Sequence, residues 1–198
     1  MVTFSKPIVV DKNANAKRRM IDPPIKLDRP SKKVLAKGDY HSYKLWQDPK
    51  DADSATYELA VPIYRSESGT VEELLHFLSL INKVMYGQDC TEGPQRFALM
   101  RNLLEGSPEA AFDNEAVKHD EETLSSFEEC VSALKKSVFP VRAAMEQKRW
   151  MRCFARKPAT MTTRQYVDRI VEINNFLPKF PICSGESVQK LPNDELLD

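Results

Sequence analysis

The side chains able to do chemistry in this 198-residue chain are few and scattered. Its four cysteines, Cys90, Cys130, Cys153 and Cys183, share no C-x-x-C spacing, and His41, His76 and His119 stand apart from them and from one another. Zinc needs clustered Cys or His ligands, so no metal and no other cofactor is expected. The chain opens without a signal-peptide pattern, and the thiols are expected to be reduced in a cytosolic or nuclear protein. The paired acids Glu72-Glu73, Glu121-Glu122 and Glu128-Glu129 are adjacent in sequence. On a helix such neighbours point about 100° apart, which suits solvated faces and the positive ends of helix dipoles better than acid–base catalysis. There is no G-x-G-x-x-G, Walker loop, nucleophile elbow or H-E-x-x-H. The reading is a non-enzyme with no small-molecule substrate.

The chemistry that remains is charge. Overall the chain is neutral, with 29 basic and 29 acidic residues, but the charges are segregated. Residues 1–38 hold ten Lys or Arg against Asp11, Asp22 and Asp28, an excess of 10 − 3 = +7. Lys17, Arg18, Arg19, Lys32 and Lys33 are the candidate RNA-binding residues of this tract, through sequence-independent phosphate contacts. Glu105–Glu129 is strongly acidic, with Lys118 its one cation, and Lys135–Lys157 is strongly basic, with Glu146 its one acid. Segregation of this kind suits protomers meeting head to tail, acidic surface to basic surface. Arg149, Arg152, Arg156 and Lys157 facing Glu121 and Glu122 form the candidate assembly surface.

Helices must position these charges. Residues 1–55 carry proline breaks and no helical periodicity, and read as a disordered basic arm, with Tyr43 and Trp46 as its anchor to the body. Thr56–Tyr64 alternates briefly and reads as one extended segment; a single strand makes no sheet, so it is expected to lie on helices. A capping box of Thr70 and Glu73 opens a helix with Val71, Leu74, Leu75, Leu78, Ile81 and Met85 inside and Gly87 as a left-handed C-cap. Pro94 opens a second helix carrying Phe97, Met100, Leu103 and Leu104 and closed by Gly106. Ser107-Pro108 starts a third with Ala111, Phe112 and Val117. A fourth runs from Thr123 to Val138 on Leu124, Phe127, Val131 and Leu134, and Pro140 stops it. Pro140 is also a boundary and the first turn of a helix through Val141, Met145, Trp150, Met151 and Phe154. The fold class read from this pattern is all-α: an amino-terminal helical domain over 56–139 and a smaller helical domain over 140–198. No apolar run is long enough to span a bilayer.

One stretch has a stricter order. Pro158 bars helix before it, Thr162 and Gln165 make a capping box, and Tyr166, Val167, Ile170, Ile173 and Leu177 make one apolar face ending at Pro178. Arg169 sits on the margin of that face. Thr163-Arg164-Gln165-Tyr166-Val167-Asp168-Arg169-Ile170 resembles the major homology region of retroviral and long-terminal-repeat retrotransposon capsid proteins. In that family a Gln and a Glu ahead of the helix join the Arg in a hydrogen-bonded network. Lys157 and Met161 hold those positions here and offer no carboxylate, so Arg169 is expected to grip backbone carbonyls of the Pro158–Met161 turn.

Upstream, Gly69–Leu74, Gly93–Leu99 and Leu103-Leu104-Glu105-Gly106 resemble the amino-terminal capsid domain of retrotransposon Gag polyproteins. The resemblance implies a two-domain helical protomer that associates with itself into a shell or lattice, packages RNA, and resides in the cytoplasm as a virus-like particle without a membrane partner. Asn193 looks like the N-cap of a helix cut short, so the chain reads as a piece of a longer polyprotein. The alternative is a monomeric helical adaptor or nucleic-acid-binding module that uses the basic arm.

Overall fold

The computed structural model describes residues 22–30, 35–51, 53–65, 70–182, 187–192 and 195–196. The order of elements is β1 (Tyr40–Trp46), β2 (Thr56–Pro62), β3 (Tyr64–Arg65), α1 (Val71–Gly87), α2 (Gly93–Arg101), β4 (Leu104–Glu105), α3 (Ser107–Ala116), α4 (Leu124–Val138), α5 (Ala143–Cys153) and α6 (Thr163–Phe176), followed by a 3-10 turn at Leu177–Lys179. The fold is therefore mixed, and the all-α expectation is corrected by two small sheets.

The Thr56–Pro62 segment does not lie alone on helices. It pairs antiparallel with Tyr40–Trp46, in a register that places Tyr43 opposite Leu59 and Leu45 opposite Tyr57. Half of this hairpin comes from the tract read as disordered. The β1 half carries no clean alternation: Tyr43 and Leu45 share their face with exposed His41, which stands opposite buried Val61, and Tyr40 and Trp46 put rings on the other face. Tyr43 packs against the core, whereas Trp46 is 38% exposed and lies outside it. The second sheet is a two-residue parallel pair, Tyr64 with Leu104 and Arg65 with Glu105. It takes Leu103 and Leu104 out of the second helix, which ends at Arg101. Arg65 locks the pair from the solvent side, bonded to Glu105 at 2.5 Å and to Asp39 at 2.9 Å.

Local rules hold well in the helices. Glu73 N–H donates to Thr70 Oγ1 at 3.2 Å and Thr70 N–H donates to Glu73 Oε2 at 2.6 Å, the reciprocal box that opens α1. The two glycines act otherwise than expected. Gly87 is the last residue of α1, not a left-handed cap, and a Cβ there would lie 2.9 Å from Leu45 Cβ, so it lets β1 approach the helix. Gly106, at φ 70°, precedes α3 and closes no helix.

The core is continuous from the hairpin to the end of α6. Phe97, Phe112 and Phe127 tie α2, α3 and α4, with ring centroids 5.5–6.0 Å apart. Two ring contacts cross Pro140: Phe139 with Phe180 at 4.8 Å and His76 with Phe176 at 5.4 Å. α5 begins at Ala143, after Arg142 in a left-handed conformation, and buries Ala143, Gln147, Trp150 and Met151. That rotation leaves Val141 and Met145, expected inside, exposed. Val117 and Leu124 are likewise exposed, one beyond the end of α3 and the other at the start of α4.

Among the described residues no helix is long and apolar enough to cross a membrane. Only Glu195 and Leu196 of the Asn193-capped segment are described, so that expectation lies mostly outside the described residues.

Candidate functional site

The stretch that resembles a capsid motif folds as a turn and a capped helix. Met161 N–H donates to the Pro158 carbonyl at 3.1 Å. Gln165 N–H donates to Thr162 Oγ1 at 3.2 Å, and Thr162 N–H to Gln165 Oε1 at 2.9 Å. Ile170, Ile173 and Leu177 are buried, and Tyr166 is partly buried against the core.

Arg169 departs from expectation in its partners. Its guanidinium does not reach the Pro158–Met161 turn. Lys157 does so instead, with Nζ 3.0 Å from the Met161 carbonyl and 3.4 Å from that of Pro158. Arg169 points into the protein, where its side chain is 2% exposed and that of Glu72 3%. The two form a parallel fork: Nη1 to Oε1 at 2.7 Å and Nη2 to Oε2 at 2.6 Å. Nη1 also donates to Glu172 Oε2 at 2.9 Å, Nη2 to the Lys26 carbonyl at 2.7 Å and Nε to the Leu27 carbonyl at 3.1 Å. All three nitrogens are thus satisfied, which a buried guanidinium requires. Burial opposes its charge, but the bonds to Glu72 and Glu172 outweigh it and hold the guanidinium above its ordinary value. Burial likewise opposes ionisation of Glu172, and hydrogen bonds from Arg29 and Arg169 overcome it, leaving that carboxyl below its usual range.

The Lys26 and Leu27 carbonyls belong to a segment read as disordered arm. Residues 22–30 instead run as a strap over α5 and α6. Ile25 is buried, and Gln147 binds both sides of its backbone: Ile25 N–H to Oε1 at 2.8 Å and Nε2 to the Ile25 carbonyl at 3.1 Å. Asn174 does the same for Leu191, at 2.8 and 2.9 Å. Helices α5 and α6 therefore use buried polar side chains to fix non-helical chain at Ile25 and at Leu191. Sequence reasoning missed Glu72, Gln147 and Asn174. The signal was a polar residue on an apolar helical face: Glu72 beside Val71 and Leu75, Gln147 between Ala143 and Met151, Asn174 beside Ile170 and Ile173.

Two His–carboxylate groups also form in three dimensions. His76 lies by Glu72 and Glu172, and His119 by Glu115 and Glu129, although the sequence reading left both histidines alone. In the first group Arg169 already supplies the cation. In the second, Lys118 Nζ sits 2.6 Å from Glu115.

Comparison with known proteins gives no relative: no family, curated protein or solved structure matches the chain. The site is therefore read from its own residues.

The candidate assembly residues divide into engaged and open. Arg152 is paired with Glu195 at 2.5 Å, Glu122 with Arg101 at 2.6 Å, and Lys157 is folded onto its turn. Arg149, Arg156 and Glu121 are exposed, and their side chains have no ion-pair or hydrogen-bond partner among the described residues. Arg149 borders a surface groove of about 620 Å³, together with Arg142, Met145, Lys148, Arg152 and Val188. The candidate RNA-binding residues Lys17, Arg18, Arg19, Lys32 and Lys33 lie outside the described residues.

Proposed function

We propose that this chain is a structural Gag-type capsid protein that associates with itself into a shell or lattice packaging retrotransposon RNA, as virus-like particles in the cytoplasm. The observation that carries this reading is the turn and capped helix at Pro158–Phe176 with a fully buried, fully bonded arginine one turn after Tyr166. A buried arginine is costly to install. It gains little stability over an apolar residue of similar volume, and it specifies one geometry. Its use here supports a segment whose orientation matters, as a lattice subunit demands. The +7 excess of residues 1–38 supports RNA as the cargo.

The test is light scattering of the full chain over a concentration and salt series, followed by electron microscopy. Shells or tubes are the expected result. A protein that stays monomeric in every condition, with or without RNA, would overturn the reading in favour of a helical adaptor.

A further inference from the structure

The two most exposed large apolar residues among those described are Val141, at 86%, and Val117, at 85%. Neither is isolated. Val141 is followed by exposed Met145 at the start of α5, beside Arg142, Lys148 and Arg149. Val117 sits in the α3–α4 connection, exposed Leu124 opens α4, and the same stretch carries exposed Asp120, Glu121 and Glu128. Each patch has an apolar centre and a rim in which one charge sign predominates, with Lys118 the exception in the acidic patch and Glu146 in the basic one, and the predominant signs are opposite. The basic patch borders the groove, and the acidic one lies on a connection that carries a near-fully exposed valine.

Exposed apolar side chains ringed by charge mark interaction surfaces. Here the patches are complementary: groove against exposed connection, cation against anion, methyl groups against methyl groups. None of Lys148, Arg149, Asp120, Glu121 or Glu128 has an ion pair or side-chain hydrogen bond among the described residues, although Glu128 lies near enough to Lys135 to favour its charge.

We infer that the α5 groove of one protomer receives the α3–α4 connection of a second copy, with Arg149 and Lys148 facing Glu121 and Glu128 around Val117, Leu124, Val141 and Met145. The inference rests on the self-association proposed above and names the surface that carries it. The two patches lie at different places on one molecule, so the contact is heterologous and each protomer keeps one free patch of each kind. Such a contact propagates into rings or open lattices instead of stopping at a dimer.

The test uses two variants of the full chain, one with Lys148→Ala and Arg149→Ala, the other with Glu121→Ala and Glu128→Ala. All four residues lie outside the core, and matching melting curves confirm folding. Each variant alone should associate more weakly than the parent, by about tenfold or more. An equimolar mixture should form a species of twice the monomer mass and nothing larger, because each variant retains one intact patch. This heterodimer should weaken as salt rises. A mixture that stays monomeric, or single variants that assemble like the parent, would overturn the contact while leaving shell formation by the parent standing. A heterodimer from variants of a parent that forms no shells would uphold the contact and overturn the capsid reading.

Discussion

Arg169 and Glu72 lie 97 positions apart in sequence and meet as a parallel two-bond fork, 2.6 and 2.7 Å long, in the interior. The pair joins α6 to the first turn of α1, and the same guanidinium holds the strap at Lys26 and Leu27. One side chain thus orients three parts of the chain. Removing Arg169 leaves a buried carboxylate and two partly buried carbonyls without a donor, so Arg169→Met should cost about 3–5 kcal/mol in urea unfolding. Adding Glu72→Leu to it removes the stranded charge and should recover part of the loss. Arg169→Lys should recover little, because an ammonium cannot make the fork. Equal stability of the two methionine-bearing variants would show that Glu72 is not the stranded group.

Acid should weaken the same node. The Glu172 carboxyl is held below its ordinary value of 4.5 in the fold, where burial raises it but Arg29 and Arg169 lower it further. The unfolded chain then binds more protons than the folded one, so stability is full above the ordinary carboxylate range and declines as pH falls through and below it. Urea midpoints between neutral pH and the acid range should show this decline. Glu172→Gln should be less stable at neutral pH and decline less steeply, although the depressed carboxyls of Asp39, Glu105 and Glu115 keep some slope.

The strap should be releasable by itself. Gln147→Leu keeps the volume and strands the Ile25 N–H and carbonyl, at a cost of about 1–3 kcal/mol for buried backbone groups left unpaired. Hydrogen exchange should accelerate at Ile25 more than in α4, and proteolysis should reach residues 22–30 first. Uniform acceleration across the chain would mean that the strap and the helices open together.

Gly93 should resist the substitution that helix propensity recommends. Alanine in a helix is ordinarily favoured over glycine by about 0.5–1 kcal/mol. Here its Cβ would overlap the Glu122 carbonyl and press on Thr123, both backbone. Gly93→Ala should therefore destabilise, by about 1–3 kcal/mol as overpacking does, and a raised melting temperature would contradict this close approach.

RNA binding should follow the terminal charge and spare the strap. Residues 1–21 hold Lys6, Lys12, Lys17, Arg18 and Arg19 against Asp11, a net 5 − 1 = +4. Deleting them should lower RNA affinity and its salt dependence while leaving thermal unfolding unchanged. Deletion through residue 38 removes Ile25 and the carbonyls that Arg169 binds, so it should also lower the melting temperature. Undiminished binding after the shorter deletion would shift the RNA site to the basic surface of Lys135–Lys157.

What the sequence determined by itself is what a single helical turn contains. The boxes Thr70–Glu73 and Thr162–Gln165 and the buried faces through Leu74 and Ile81, or Ile170 and Ile173, were legible because their partners are three or four residues apart. What tertiary structure decided needed chain closure. The hairpin of Tyr40–Trp46 with Thr56–Pro62 depends on a register between two weakly alternating segments. The end of α2 at Arg101 depends on β3 taking the backbone of Leu104. The partner of Arg169 was an acid in another helix, and no local rule could prefer Glu72 to the neighbouring turn. The same holds for the surface: periodicity placed Val117, Leu124, Val141 and Met145 inside, and only the packed rotation of α3, α4 and α5 left them facing outward. Periodicity measures which residues share a face, and the neighbours that the rest of the chain supplies settle whether that face is covered.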